Sequence, residues 1–586
     1  MEGITPEKHR PNLWLASAVA GLAFHAFVQY IDILDVLVWY MLGCFAVAAM
    51  GMFYVDVRLY HSTPVDAAKD VVTTATSFTL SLTVSILIYR AFFHRLRRFP
   101  GPFAAKLTRL WSVYESSKAF KYHLKLEELH KKHGDVVRIG PRELSITRAS
   151  ALPQIAGCRK PIFYQQADWN RKRVGMLETR DLEDHRNRRK PWEKGLSLTE
   201  VAKYDADMQA TIGLFLDQIA CDRGQRINAT QWIAMLTYDL MGVVAFGKDF
   251  GSLHATKENP AIKGLRESRR ALGVLFPVPW LINMLHNTPG LANAGAMALF
   301  RNYCAGLVEE KRATLQSHPE SATPPPPNDV MTFLIRAFAA GGPTAAPTLS
   351  ALHSDGRSLV VAGADTTHSA LTAAFYHLAA HPPTYARLQA AMDAACPGDN
   401  SGGDNSGGDN SSGGDATTFS HDAAKSVPLL DAVITETLRL HPPLPGGTPR
   451  LTPPEGLRLD DSLRIPGDVH VWVPPWVVQR DGRYFERPEE WVPERWMRVE
   501  DGGVEGLVRE RRAWFTFWVG MFGCAGKQLA YWEMRSVLGR LALRYDIRFA
   551  SAQDGKDFER DMKAMWTLAP PPLGMCFRER KLRKKI

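Results

Sequence analysis

The chain predicts a mainly α-helical domain with a minor β portion, held behind N-terminal transmembrane helices, and three observations carry that prediction. Apolar stretches long enough to cross a bilayer crowd the first hundred residues. Runs of helical period, with caps and breakers at sensible intervals, fill most of the remainder. Strand-like alternation with Pro/Gly punctuation is confined to two places. At 586 residues and 45% hydrophobic content the chain can bury a large core.

Leu13 to Ile31 and Val36 to Val55 are apolar, with Asp32 and Asp35 between them, and Val71 to Tyr89 is richer in Thr and Ser but uncharged. Arg90, Arg95, Arg97 and Arg98 follow, a cluster that should stay cytosolic. Three crossings would put the amino terminus in the lumen, whereas Lys8 and Arg10 pull the other way, so residues 1–98 are expected to anchor the protein through two to three helices. No small-residue cleavage site precedes the later apolar segments, which argues against a cleaved signal peptide. Anchoring in the endoplasmic reticulum membrane with the catalytic domain in the cytosol is the expectation. Glycosylation at Asn228-Ala229-Thr230 would contradict it.

Beyond the anchor, Val136-Val137-Arg138-Ile139 and Glu143-Leu144-Ser145-Ile146 flank Gly140-Pro141 and read as two short strands and a turn. A long, mostly helical region follows. Ser321 to Asp329 contains four consecutive prolines and reads as a linker, and residues 398–418, where Ser-Gly-Gly-Asp-Asn repeats, read as a disordered insertion within one domain. Arg450 to Val473 reads as short strands. The main domain is thus expected over 99–577, with a basic tail over 578–586. Of the formal charge of +10, that tail supplies +5, from six basic residues against Glu579. Such a distribution suits an anionic membrane surface and gives no sign of a nucleic-acid partner.

One segment carries most of the chemistry. Phe517-Trp518-Val519-Gly520-Met521-Phe522-Gly523-Cys524-Ala525-Gly526 sets a cysteine among three glycines, just before a helix-like run from Lys527. Glycines let the backbone turn tightly and lie against a flat macrocycle where a Cβ would collide. A sulfur at a helix start is expected to favour its thiolate, and a thiolate on heme iron pushes electron density toward O–O cleavage. No C-x-x-C pair or closely spaced framework accompanies it, so neither a zinc site nor a disulfide scaffold is expected. Cys44, Cys158, Cys221, Cys304, Cys396 and Cys576 are scattered and read as packing residues.

Phe517, Gly520, Cys524 and Gly526 resemble the heme-binding signature of the cytochrome P450 family. That family usually has an arginine two residues before the cysteine, reaching a heme propionate, where this chain has Phe522; a fungal subgroup with an aromatic there, followed by G-C-x-G-K-x-L-A, is similar. The resemblance implies the fold of that family over roughly Phe99 to Pro571, with Phe99-Pro100-Gly101-Pro102 as its proline-rich hinge. It implies heme b with Cys524 as the axial ligand of the iron. Ala362-Gly363-Ala364-Asp365-Thr366-Thr367 resembles the family's distal oxygen-binding motif, the small residues making room for oxygen, with Thr366 in the proton network and Asp365 feeding it from solvent. Glu436 and Arg439, followed by Leu440-His441-Pro442-Pro443, with Arg495 in Trp491-Val492-Pro493-Glu494-Arg495-Trp496, resemble the family's structural triad. His185 and Arg189 resemble its propionate-binding pair, with Arg450 a third candidate in place of the arginine missing at 522.

Tyr238-Asp239-Leu240-Met241-Gly242 with Ala245-Phe246-Gly247 resembles a helix frequent in fungal members and points to lineage, not chemistry. The function implied is a monooxygenase using O2, and electrons from NADPH through a separate NADPH–cytochrome P450 reductase, since no G-x-G-x-x-G fingerprint or flavin domain is present. The substrate implied is lipophilic, hydroxylated most naturally in fungal secondary metabolism, and met by Phe163 to Trp169, Leu272 to Met284 and the helix before Ala362. Two rivals are a heme-thiolate isomerase or dehydratase, which would tend to lack the Asp365–Thr366 pair, and a non-catalytic membrane heme-binding protein.

Overall fold

The computed structural model describes residues 11–29, 38–165, 174–220, 225–288, 295–317, 329–397, 419–460 and 463–580. The linker and the 398–418 insertion lie outside these residues apart from Asp329, as does the tail beyond Arg580. Helices dominate, and strands form in both regions expected from the sequence, while further strands between Tyr545 and Glu579 and at Ile227–Asn228 were not expected. A four-stranded sheet runs, in spatial order, Val136–Gly140, Glu143–Ile146, His470–Trp472 and Arg450–Leu451. Its inner pair is parallel, with Glu143 opposite His470. A second sheet orders Ile227–Asn228, Gly574–Glu579 and Tyr545–Phe549. The sequon is therefore folded into the domain, with Asn228 paired to Gly574 and the Thr230 hydroxyl donating to the Pro571 carbonyl at 2.7 Å.

Three helices precede the domain: α1 (Pro11–Val28), α2 (Val38–Arg58) and α3 (Pro64–Ile88). Two helical spans, Tyr40–Arg58 and Pro64–Phe93, are long and apolar enough to cross a membrane, and Leu13–Val28 is a shorter apolar helix. α1 and α3 are joined by polar groups: His25 Nδ1 lies 2.7 Å from Ser85 Oγ, and Ser17 Oγ donates to the Thr74 carbonyl at 2.7 Å. Gly21 lets them touch, since a Cβ there would lie 2.2 Å from Ser81 Oγ.

The site rests on six further helices. α4 (Leu182–Gly195) starts where Asp181 accepts from the Glu183 and Asp184 amides. α5 (Ala229–Phe246) is buried along most of its length, and Gly247, at φ +74°, ends it in the left-handed conformation. α6 (Pro260–Leu275) begins at Asn259. α7 (Leu349–Ala380), of 32 residues, is capped by Thr348 and runs through the core against α5. α8 (Pro428–Leu440) is stopped by His441-Pro442-Pro443, and α9 (Lys527–Arg544) follows the cysteine segment. One apolar core lies among these helices, and a smaller one beneath the four-stranded sheet includes Leu96 and Phe99.

Candidate functional site

The segment before α9 folds back on itself. The Cys524 amide donates to the Phe517 carbonyl at 2.8 Å and the Gly523 amide to the Gly520 carbonyl at 2.9 Å. Gly520 alone of the three glycines needs the left-handed region, at φ +68°, while Gly523 and Gly526 have backbone angles open to any residue. At Gly526 a Cβ would meet Cys524 Sγ only at 4.0 Å, an ordinary contact, so nothing among the described residues demands glycine there. Burial pushes the Cys524 thiol up, and the Gly526 amide, Arg189 and Lys527 offset only part of that.

Phe522, the departure in the sequence, is the centre of a cationic cluster. The Arg450 guanidinium lies 4.6 Å from its ring centroid, Lys160 Nζ 5.0 Å, and the His185 ring 4.9 Å. All three side chains are buried, and none makes an ion pair with a carboxylate among the described residues. Burial, with Arg450 beside it, holds Lys160 down to about 7, and burial with Lys160 beside it holds His185 down to about 4. His185 Nε2 and Arg450 Nε are buried without a partner among the described residues. Arg450 thus brings a buried positive charge, Lys160 a second that an adjacent anion would restore, and His185 a ring nitrogen without a partner, and the two propionates of a heme are an anion suited to them. The donor set therefore fits a heme. Arg189 is more committed: its Nη1 donates to the Gly523 carbonyl at 2.7 Å and its Nε to Glu193 at 2.6 Å, bracing the cysteine segment. Lys160 was missed in the sequence because an isolated lysine carries no pattern.

On α7, Thr366 Oγ1 donates to the Ala362 carbonyl at 2.6 Å, and Ala362 is exposed within an otherwise buried helix. A Cβ on Gly363 would meet Met241 Sδ of α5 at 2.2 Å, so the glycine lets α7 pack closely against α5. Asp365 is 2% exposed and faces α5 and α6: the Tyr238 hydroxyl donates to its Oδ1 at 2.5 Å, and Arg269 Nη1 lies 3.2 Å away. Tyr238 belongs to the segment that the sequence marks only as lineage. Thr367 Oγ1 lies 3.1 Å from Glu533 Oε2 and ties α7 to α9.

Glu436, Arg439 and Arg495 meet as expected, with side chains fully buried. Arg439 forks onto Glu436 at 2.8 and 2.9 Å, and Arg495 Nε reaches Glu436 Oε1 at 2.9 Å. The Trp496 indole and the Val492 amide also donate to Glu436, each at 2.8 Å. Phe517 packs its ring against Trp514 and Tyr531.

Phe163, Phe276, Trp472 and Trp566 line a cavity, with Phe276 4.2 Å from Phe163 and 4.0 Å from Trp566 between ring centroids. This joins two of the segments expected to meet substrate, although residues 166–173 lie outside the described ones. Trp566 stands alone at the tip of the hairpin Lys563–Met565/Thr567–Ala569, at φ +74°, a side-chain position the sequence did not signal.

Comparison with known proteins agrees with this geometry. Residues 100–577 match the family model described as Cytochrome P450. A cytochrome P450 monooxygenase of Fusarium pseudograminearum is 31% identical, with 96% of this chain and 97% of the relative covered. One from Eupenicillium brefeldianum is 33% identical over 86% of this chain and 96% of the relative. The Tryprostatin B 6-hydroxylase of Aspergillus fumigatus is 30% identical over 85% of this chain and 83% of the relative. The crystal structure of a cytochrome P450 heme domain superposes with a TM-score of 0.62 at 15% identity, covering 80% of this chain and 95% of that one, and shows the same fold. By a family match over most of its length and by relatives aligned along nearly the whole chain, the protein belongs to the cytochrome P450 family of heme-thiolate monooxygenases.

Proposed function

We propose that this protein hydroxylates a lipophilic substrate of fungal secondary metabolism, taking electrons from NADPH through a separate reductase, on the cytosolic face of the endoplasmic reticulum membrane. The relatives support the pathway class, one of them being named a Tryprostatin B 6-hydroxylase. Heme b would be held by Cys524 Sγ, with Lys160, His185 Nε2 and Arg450 Nε toward its propionates and Arg189 steadying the segment that carries the sulfur. Bound heme supplies the activation of O2 and the insertion of one oxygen atom.

The chain's own residues then govern protons and water. Thr366 spends its hydrogen on the Ala362 carbonyl, which leaves the lone pairs of Oγ1 free to accept one from a water or a ligand. Asp365 is the next residue and the source of that proton. Because it is buried, a proton reaches it from solvent only when Arg269 or Tyr238 lets go. The aromatic cavity excludes water and receives an apolar substrate.

The observation that carries this reading is the buried Asp365, clasped by Tyr238 and Arg269 beside Thr366. An isomerase or dehydratase of this fold has no need of metered protons. Thr366→Ala is expected to keep consuming NADPH and O2 while releasing hydrogen peroxide in place of most of the product. Substrate turnover that needs neither O2 nor NADPH would overturn the reading.

A further inference from the structure

Away from the cysteine site, the ends of α7 and α8 meet the short helix Phe558–Asp561. His377 Nε2 and His441 Nε2 lie 2.8 Å apart, and Glu559 Oε1 lies 3.3 Å from the second and 3.9 Å from the first. These are the atoms of a three-residue ligand set close enough to share one ion. The centre of the triangle they form is about 2.0 Å from each corner, so an ion displaced slightly from that plane toward a fourth ligand would lie about 2.1 Å from each, within the range of zinc bonds to imidazole nitrogen and carboxylate oxygen. Its edges also average about 3.3 Å, the separation of neighbouring ligands around a tetrahedral zinc ion.

Hydrogen bonding alone serves this arrangement poorly. A single hydrogen on His441 Nε2 can satisfy only one of two acceptors, at 2.8 and 3.3 Å, whereas a cation satisfies all three atoms. Both imidazoles are buried. Trp491 lies parallel to the His377 ring, 5.0 Å between centroids, and fixes its plane. Of the nearby guanidiniums, Arg439 shares Glu436 with Arg495 and Arg480 pairs with Glu489, so Glu559 is the carboxylate that faces an added cation directly.

We propose that His377, His441 and Glu559 bind a zinc-class divalent cation, with water in the fourth position. His381, one turn beyond His377, completes an H-x-x-x-H pair that the cysteine-based reading of the sequence passed over. Its Nδ1 is taken by the His377 carbonyl at 2.8 Å, so it supports the site and does not ligate through that atom. The ion would staple the ends of α7 and α8 to the segment that runs through Lys563–Met565 to Trp566, and so stiffen the aromatic wall of the cavity.

The test uses full-length holoprotein, stripped with a chelator, dialysed and titrated with zinc. One zinc per heme is expected by elemental analysis and by competition with a chromophoric chelator. Glu559→Gln should weaken that binding about tenfold or more while the carbon-monoxide difference spectrum stays unchanged. X-ray absorption at the zinc edge should show nitrogen and oxygen neighbours including imidazole. Equal zinc uptake by wild type and Glu559→Gln, no uptake at all, or sulfur in the zinc shell would each overturn the proposal. If His377→Gln or His441→Gln fails to retain heme, Glu559→Gln still decides, because the Glu559 side chain is half-exposed and can be changed without opening the core.

Discussion

Glu533 is buried and, among the described residues, has only the Thr367 hydroxyl against one of its oxygens, and burial pushes its carboxyl up to about 8. At neutral pH it is therefore mainly protonated in the folded protein and ionised in the unfolded chain. The native state binds the extra proton, so the associated stability is complete below about pH 4.5 and is lost as pH rises through 8. Across that window the slope reaches up to about 1.4 kcal/mol per pH unit. Glu533→Gln cannot ionise, so its thermal midpoint should fall less than that of the wild type between pH 6 and pH 8. Parallel melting curves for the two holoproteins would rule this out. Other residues show why side-chain roles escape a sequence. Asp365 and Thr366 lie within a recognisable string, but Tyr238, 127 positions away, meets Asp365 only because α5 lies along α7. Lys160 likewise gains meaning only from the ring of Phe522 and its neighbouring cations.

Elements were more legible than side chains. The strands of Val136–Ile146 and of Arg450–Trp472 and the stop at His441-Pro442-Pro443 come from local punctuation, whereas the sheet of Ile227–Asn228, Gly574–Glu579 and Tyr545–Phe549 pairs segments far apart in the chain and was not legible. The triad was legible too, since Glu436 and Arg439 share a helix face and Arg495 lies in a recognisable string. What the sequence could not convey is its second layer: Arg439 also donates to the carbonyls of Gln479, Pro488 and Glu490, and Arg495 to those of Glu486, Leu507 and Arg487. Glu436 thus compensates two guanidiniums that pin the loop running toward the cysteine segment. Glu436→Ala would strand both charges at a cost of about 3–5 kcal/mol. The expected product is protein without heme, read as loss of absorption at unchanged expression. Normal heme occupancy in this variant would refute the role. Gly363 teaches the opposite lesson: a small residue in a functional string can answer to a neighbouring helix, here through Met241.

At the scale of the whole molecule, the predicted division between anchor and domain meets a packing constraint. Leu96 is 0% exposed and, with Phe99, belongs to the apolar core under the four-stranded sheet. Phe92 and Phe93, just before them, are exposed. A chain beginning at His94 should leave the membrane fraction on centrifugation and keep its carbon-monoxide difference spectrum. One beginning at Pro100 forfeits both core side chains, at about 2–5 kcal/mol each, and should lose much of its heme. Equal heme content in the two truncations would show that the core tolerates their loss.

The pairing of α1 with α3 bears on where the two ends of the anchor lie. Gly21 meets Ser81 and His25 meets Ser85, so contacts advance by four residues along both helices together. Were all three helices to cross a bilayer, α1 and α3 would run through it in the same sense with α2 as the return stroke, and a segment ahead of Pro11 would lie on the opposite side from the heme domain. A short tag fused ahead of Met1 would then be shielded from protease added outside sealed microsomes, while the oxidising domain is digested.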